Sequence, residues 1–257
     1  MDAVDVGIAR LNMQGRVLLG MLTPSSNTTL EPVTTAMIAG LSEASAHFGR
    51  FKVTEIALTK QALGQFDDRE ILAAAELLSH AKVGVIGWSG TAASWRGFDT
   101  DELLCRRITE ATGVPACTSM LALNEIFALS GVRRFGLVTP YLDDVQARIV
   151  ANYAAAGYEC VAERHLGLRD NFSFAEVDAD TLRAMVHDVA RAKPDAIAIL
   201  CTNLRGGPLV QVLEAETGIP IHDSIATVVW KSLQLAGADP RRVKGWGRLF
   251  ELPQSLP

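Results

Sequence analysis

The sequence is 257 residues long, with 24 Lys and Arg against 29 Asp and Glu, for a formal net charge of -5 at pH 7. Hydrophobic residues make up 49% and charged residues 21%. That is enough apolar material for a full core, and it excludes long disorder, a collagen-like fibre and a disulfide scaffold. A mildly acidic chain with no basic block argues against nucleic acid and against an anionic membrane as partners. The four cysteines, Cys105, Cys117, Cys160 and Cys201, form no CxxC pair. They signal neither a zinc site nor a disulfide framework, so any cysteine chemistry is expected from a free thiol. Neither a cationic-plus-apolar leader nor an apolar run of bilayer length is visible, and the expectation is a cytoplasmic protein.

Taken in chain order, short apolar runs alternate with helical patterns. Residues 17–22 form the first run, which ends at Thr23-Pro24. Residues 71–78 carry a helix-period pattern, and residues 83–88 are a second apolar run, followed by Ser89-Gly90-Thr91. Residues 135–138 are a third, ending at Thr139-Pro140. Residues 182–186 are again helical in period, and residues 196–200 form the last clear run, ending at Cys201. Continuous apolar runs suit strands covered on both faces, as in a parallel sheet, and the intervening patterns suit crossover helices. The fold class is therefore α/β.

The runs repeat. Leu19-Gly20-Met21-Leu22-Thr23-Pro24 echoes Phe135-Gly136-Leu137-Val138-Thr139-Pro140, and the segment 85–91 echoes 196–202. Thr112-Gly113-Val114-Pro115 echoes Thr217-Gly218-Ile219-Pro220, each followed four residues later by a serine, Ser119 and Ser224. Three echoes in one order imply two similar Rossmann-like domains, each with a parallel sheet, related by a pseudo-two-fold axis. We expect residues 14–127 plus 226–257 to form the first domain and 128–225 the second, with the active site in the cleft between them. Ligands of open α/β sheets sit beyond the carboxyl ends of the strands. The loops there, 23–27, 89–94, 139–143 and 201–205, carry hydroxyls, amides and one thiol. They contain no Asp/Glu/His cluster with metal-ligand spacing. Gly84, Gly87 and Gly90 follow GxxGxxG, neither a dinucleotide fingerprint nor a P-loop, so neither a metal nor a cofactor is expected.

These loops resemble the aspartate/glutamate racemase superfamily, and within it the branch of maleate cis-trans isomerases and arylmalonate decarboxylases. The likeness runs from about Arg16 to Phe250. Thr23-Pro24-Ser25-Ser26-Asn27-Thr28-Thr29-Leu30-Glu31-Pro32 is similar to the first loop of maleate isomerases, and the resemblance implies that Asn27 holds a substrate carboxylate. Asp170-Asn171 looks like a second carboxylate-binding asparagine. Gly90-Thr91-Ala92-Ala93-Ser94-Trp95-Arg96-Gly97 resembles the decarboxylase loop, with Ala92 where that family has a serine. Gly131-Val132-Arg133-Arg134 and Tyr141-Leu142-Asp143-Asp144-Val145 match both branches, as does Cys201, which is followed by Thr202 and Asn203 in place of two glycines. Trp246-Gly247-Arg248-Leu249-Phe250 is similar to the decarboxylase C-terminus.

Racemases of this superfamily use two thiols, one from each half. Here the second-half position is Cys201 and its counterpart is Gly90, which cannot transfer a proton. One thiol suffices for decarboxylation, in which CO2 leaves, an enediolate forms and one acid protonates one face. The reading is a cofactor-free decarboxylase of a small dicarboxylate, with Cys201 as the acid. Asn27, Gly90, Thr91, Tyr141, Asn171 and Thr202 would line the substrate site. The alternatives are a maleate-like cis-trans isomerase using Cys201 and a non-catalytic binder of small carboxylates, and a homo-oligomer is compatible with all three. Cys105 and Cys160 are read as structural, and Cys117 as marginal to the pocket. His222-Asp223 is a weaker candidate acid/base pair. Trp88, Trp95 and Trp230 are read as packing, and Asp143-Asp144 as a helix start favoured by the helix dipole.

Overall fold

The computed structural model describes residues 15–59, 64 and 68–252. The first half runs β1 (Val17–Pro24), α1 (Leu30–Ile38), β2 (Ala44–Phe51), α2 (Asp68–His80), β3 (Val85–Trp88), the one-turn α3 (Ala93–Arg96), α4 (Phe98–Thr112) and β4 (Ala116–Thr118). Helix α5 (Ser119–Ser130) leads into the second half. There the order is β5 (Arg134–Thr139), α6 (Asp143–Ala155), β6 (Glu159–His165), α7 (Ala179–Ala190), β7 (Ala196–Ile199), α8 (Val210–Thr217), β8 (Ile221–Asp223) and α9 (Ser224–Leu235). The strands form two four-stranded sheets in the same order, β2-β1-β3-β4 and β6-β5-β7-β8. Every pairing is parallel.

The four apolar runs of the sequence are the central strands. β3 and β7 are buried at every residue, as helices on both faces of a parallel sheet require. The edge strands β2 and β6 are mostly half-buried and mix polar with apolar residues. The repeat extends to single hydrogen bonds. α4 and α8 end on Gly113 and Gly218, with φ of 71° and 73°, the left-handed conformation that a helix stop takes up most easily at glycine. The preceding Thr112 and Thr217 hydroxyls each donate to a carbonyl four residues back, at 2.7 Å. Each then accepts the N–H two residues on, that of Val114 or Ile219. α5 and α9 both begin at the echoed serine, behind a side-chain cap from Thr118 or Asp223.

The helices that follow the last strand of each sheet cross over. Phe127 of α5 packs on Phe135, Tyr153 and Tyr158, with ring centroids 5.6, 6.2 and 5.4 Å away. α9, which leaves the second sheet, packs on α1, β3 and β4. Its Val228, Val229 and Trp230 share one apolar cluster with Leu19, Met21 and Val85 of the first sheet. α5 and α9 also pack on each other. The Thr227 hydroxyl donates to the Ser119 carbonyl at 3.0 Å, and Lys231 pairs with Glu125 at 2.7 Å. This exchange holds the two sheets in a fixed relation, so loops from both can form one cleft. Among the described residues no helix is long and apolar enough to cross a membrane.

Phe127→Ala removes a fully buried ring from this junction and is expected to cost about 3–5 kcal/mol, as large-to-small core changes do. Urea unfolding followed by circular dichroism measures it, and a cost below about 1 kcal/mol would contradict the packing described here.

Candidate active site

The strand registers place Gly90 and Cys201 at equivalent points. Trp88 is the last residue of β3, opposite Leu22, and Ile199 is the last residue of β7, opposite Val138. Gly90 and Cys201 each follow two residues later. They line a common cleft with Thr91, Ala92, Tyr141, Asn171 and Thr202, walled by Pro24, Val53, Ile56, Trp88 and Trp95. Its empty space is about 300 Å3 counting the open mouth.

Cys201 is 3% exposed. Burial pushes its thiol up from 9.0 to about 11, because the low-dielectric surroundings disfavour the thiolate. Hydrogen bonds from the Asn203 N–H, the Tyr141 hydroxyl and the Leu204 N–H act in the opposite direction, and the nearby Asp223 carboxyl adds to the rise. Burial dominates, so at neutral pH the group is a protonated thiol. The Asn203 N–H lies 3.4 Å from the sulfur. The Tyr141 and Thr91 hydroxyls lie 2.7 Å apart, and burial holds the Tyr141 phenol well above its ordinary range. Thr91 and Tyr141 therefore present neutral hydroxyls beside the thiol, from opposite halves of the chain.

The two asparagines named from the sequence take different positions. Asn171 lines the cleft, and its amide donates to Ser26 Oγ at 2.8 Å. Asn27 lies behind the lining. Its Nδ2 donates to Thr202 Oγ1 at 3.2 Å, and its Oδ1 accepts the Thr29 and Leu30 N–H groups at 2.9 and 2.8 Å. It thus serves the start of α1 and props Thr202, whose hydroxyl donates to the Ser89 carbonyl at 3.1 Å. His222 is 2% exposed, makes no hydrogen bond through either ring nitrogen, and is held down to about 4 by burial. It packs near Phe127 and is not among the residues lining the cleft. Asp223 caps α9 through Oδ1, while its Oδ2 has no hydrogen-bond partner and burial raises the carboxyl to about 7. His222 and Asp223 make no hydrogen bond to each other. Cys117 hydrogen-bonds Ser232 at 3.3 Å, also outside the lining. Among the described residues no group of three or more His, Cys, Asp or Glu could hold a metal ion.

The seam that closes the cleft has no signature in the amino-acid pattern. Residues 53–56, after β2, meet residues 169–171 of the other half. The Ile56 N–H donates to the Arg169 carbonyl at 3.1 Å, the Asn171 N–H to the Thr54 carbonyl at 3.0 Å, and Arg169 pairs with Glu55. Asn203 is the second clamp. Its Oδ1 accepts the Thr28 and Thr29 N–H groups at 2.9 and 3.3 Å, and its Nδ2 donates to the Asn171 carbonyl at 2.5 Å. One buried side chain thus ties the cysteine loop to α1 and to Asn171.

Two parallel sheets of identical order, sharing a cleft with one buried thiol, define a class of two-half α/β enzymes acting on small molecules. The family model described as arylmalonate decarboxylase matches residues 19–250, and the chain belongs to this family. It is 34% identical to an arylmalonate decarboxylase from Bordetella bronchiseptica over 182 residues, which is 69% of this chain and 75% of that relative. It is 27% identical to a maleate isomerase from Pseudomonas putida over 244 residues, 90% of this chain and 96% of the relative. The crystal structure of the maleate isomerase Iso from Pseudomonas putida S16 superposes with a TM-score of 0.83 at 25% identity, covering 91% of this chain and 98% of that one. The relatives thus include enzymes of both activities.

Asn203→Ala leaves the Thr28 N–H and the Asn171 carbonyl without their partner and is expected to destabilise the protein by about 1–3 kcal/mol. Denaturant titration reads the loss. Unchanged stability would contradict the clamp.

Proposed function

We propose that the protein is a cofactor-free decarboxylase of a small 2-substituted malonate-type diacid, with Cys201 as the only proton donor. One observation carries this reading. Among the described residues Cys201 is the one thiol lining the cleft, it is buried, and the equivalent point of the other half is glycine. The bond between the α-carbon and the leaving carboxylate breaks, CO2 departs, and the electron pair moves into the retained carboxylate as an enediolate. Of the paired Thr91 and Tyr141 hydroxyls, 2.7 Å apart, the one whose proton is not used between them supplies a hydrogen bond that strengthens as negative charge builds there, such a donor being worth about 3 kcal/mol in the transition state. The apolar walls Val53, Ile56 and Trp88 surround the leaving carboxylate with few partners, which favours its loss as neutral CO2. Cys201 then gives its proton to one face of the α-carbon, and the resulting thiolate regains a proton from solvent. A single donor on one face makes the product one enantiomer where the α-carbon carries two different substituents besides its carboxylates.

Isomerisation of a maleate-like diacid is the second reading, favoured by the longer match to maleate isomerases and by the Asn171 amide in the cleft wall. It requires a sulfur that attacks the double bond, and a thiol held at about 11 is poorly ionised at neutral pH. A covalent adduct seen by mass spectrometry would favour isomerisation, and CO2 release favours the lyase. Binding across a diacid panel without turnover would favour a carboxylate-binding protein.

Cys201→Ala is expected to lower turnover of 2-methylmalonate by roughly 10²–10⁴-fold with unchanged circular dichroism, the range for loss of a general acid. Full activity in that variant overturns the assignment. The pH dependence has a definite sign. A thiol acid works while protonated, so kcat/KM is expected to hold through the neutral range and fall as pH approaches about 11. A rate that climbs towards that pH would mean the thiolate is the active form.

A further inference from the structure

Trp88 stands between two cavities. It is 2% exposed, and its ring packs on Phe51 with centroids 5.1 Å apart at 52°. On one side it walls the cleft of Cys201, Thr91 and Tyr141. On the other it walls a second pocket with about 460 Å3 of empty space counting its opening to solvent, lined by Ile71 and Leu104 with Arg96, Thr100 and Asp101 at its polar end. Trp88 and Ala92 line both. The second cavity has a built polar end. Asp101 is 3% exposed, and its Oδ2 has no hydrogen-bond partner.

The indole also explains the glycine opposite the thiol. A Cβ added at Gly90 would come within 2.1, 2.4 and 2.5 Å of three Trp88 ring atoms. No side chain fits at Gly90 while the indole stays where it is, since heavy atoms cannot approach that closely. In the second half the corresponding pair is Ile199 and Cys201, where a smaller residue leaves room for a side chain two positions later. Trp88 and Gly90 are therefore one steric unit that fills the first-half side of the cleft and leaves little room beside the sulfur.

We propose that Trp88 determines the size of the substrate's 2-substituent. With the indole in place, the cleft takes a diacid whose substituent is hydrogen or a small alkyl group. With a shorter side chain at position 88, the cleft opens into the cavity of Ile71, Leu104 and Asp101, and an aryl group enters. This inference rests on the reading of the cleft as a carboxylate site, and its test does not require turnover.

The probes are propionate and phenylacetate, the acids left when 2-methylmalonate and phenylmalonate lose CO2. Their affinities are measured by calorimetry on the wild type and on Trp88→Phe, Trp88→Leu and Trp88→Ala, with thermal unfolding as the check on folding. The wild type is expected to prefer propionate by roughly tenfold or more, as a filled pocket rejects a bulkier ligand. Trp88→Leu and Trp88→Ala are expected to shift the ratio by at least that factor towards phenylacetate, with Trp88→Phe between them. If Trp88→Ala does not fold, the Leu and Phe variants carry the comparison. A ratio unchanged across the folded variants overturns the proposal, as does preferential phenylacetate binding by the wild type or failure of every form to bind either acid. Turnover of 2-methylmalonate, measured separately, keeps the readings apart. A shifted ratio without turnover sinks the decarboxylase and leaves Trp88, whereas turnover with an unshifted ratio does the reverse.

Discussion

The Cys201 sulfur is buried between the ends of two sheets, and the low dielectric there raises the free energy of its thiolate above that of its thiol. Much of the cleft can be understood from that condition. A neutral thiol can hand over a proton but is a weak nucleophile. The groups placed against it, the Tyr141 hydroxyl and two backbone N–H groups, would stabilise a thiolate once the proton has gone. The surroundings therefore favour the thiol before the transfer and soften the cost of losing its proton. Buried donors aimed at the sulfur do the second job without having to reorganise.

Keeping the sulfur dry depends on contacts between the halves. The exchanged helices α5 and α9 fix the angle of the sheets. The pairing of residues 53–56 with 169–171 covers the cleft, and Asn203 ties the cysteine loop to α1. Thr91 and Tyr141, one from each half, meet at 2.7 Å only because the halves are held this way. The same closeness limits the site, since Trp88 fills the space beside Gly90.

Much of this was legible in the sequence, for a physical reason. β1, β3, β5 and β7 lie inside parallel sheets and are written as continuous apolar runs. The fold occurs twice, so the Thr-Gly-Val/Ile-Pro helix stops and the echoed serines announce each other. The edge strands β2 and β6 were not legible, because Ser45, His47 and Arg50, like Glu159, Glu163 and Arg164, interrupt any apolar pattern on strands that are only half covered. β4 and β8, at three residues each, are too short for periodicity. The cleft's walls were the hardest part. Val53 and Ile56 follow an unrecognised strand. Trp88 reads as packing from its run of neighbours, and its contact with the Gly90 position arises only when the loop after β3 folds back over it. Asn27 has a local use, capping α1, that competes with the carboxylate role its resemblance implied.

The protonation state of Cys201 is the point on which the chemistry turns, and it can be measured without substrate. The thiolate absorbs in the far ultraviolet, so the difference in absorbance between the wild type and Cys201→Ser, followed against pH, titrates this one sulfur. The account predicts a midpoint near 11, above the 9.0 of a free thiol. A midpoint at or below neutral pH would mean that the sulfur is a thiolate at rest, and would contradict its role as the acid.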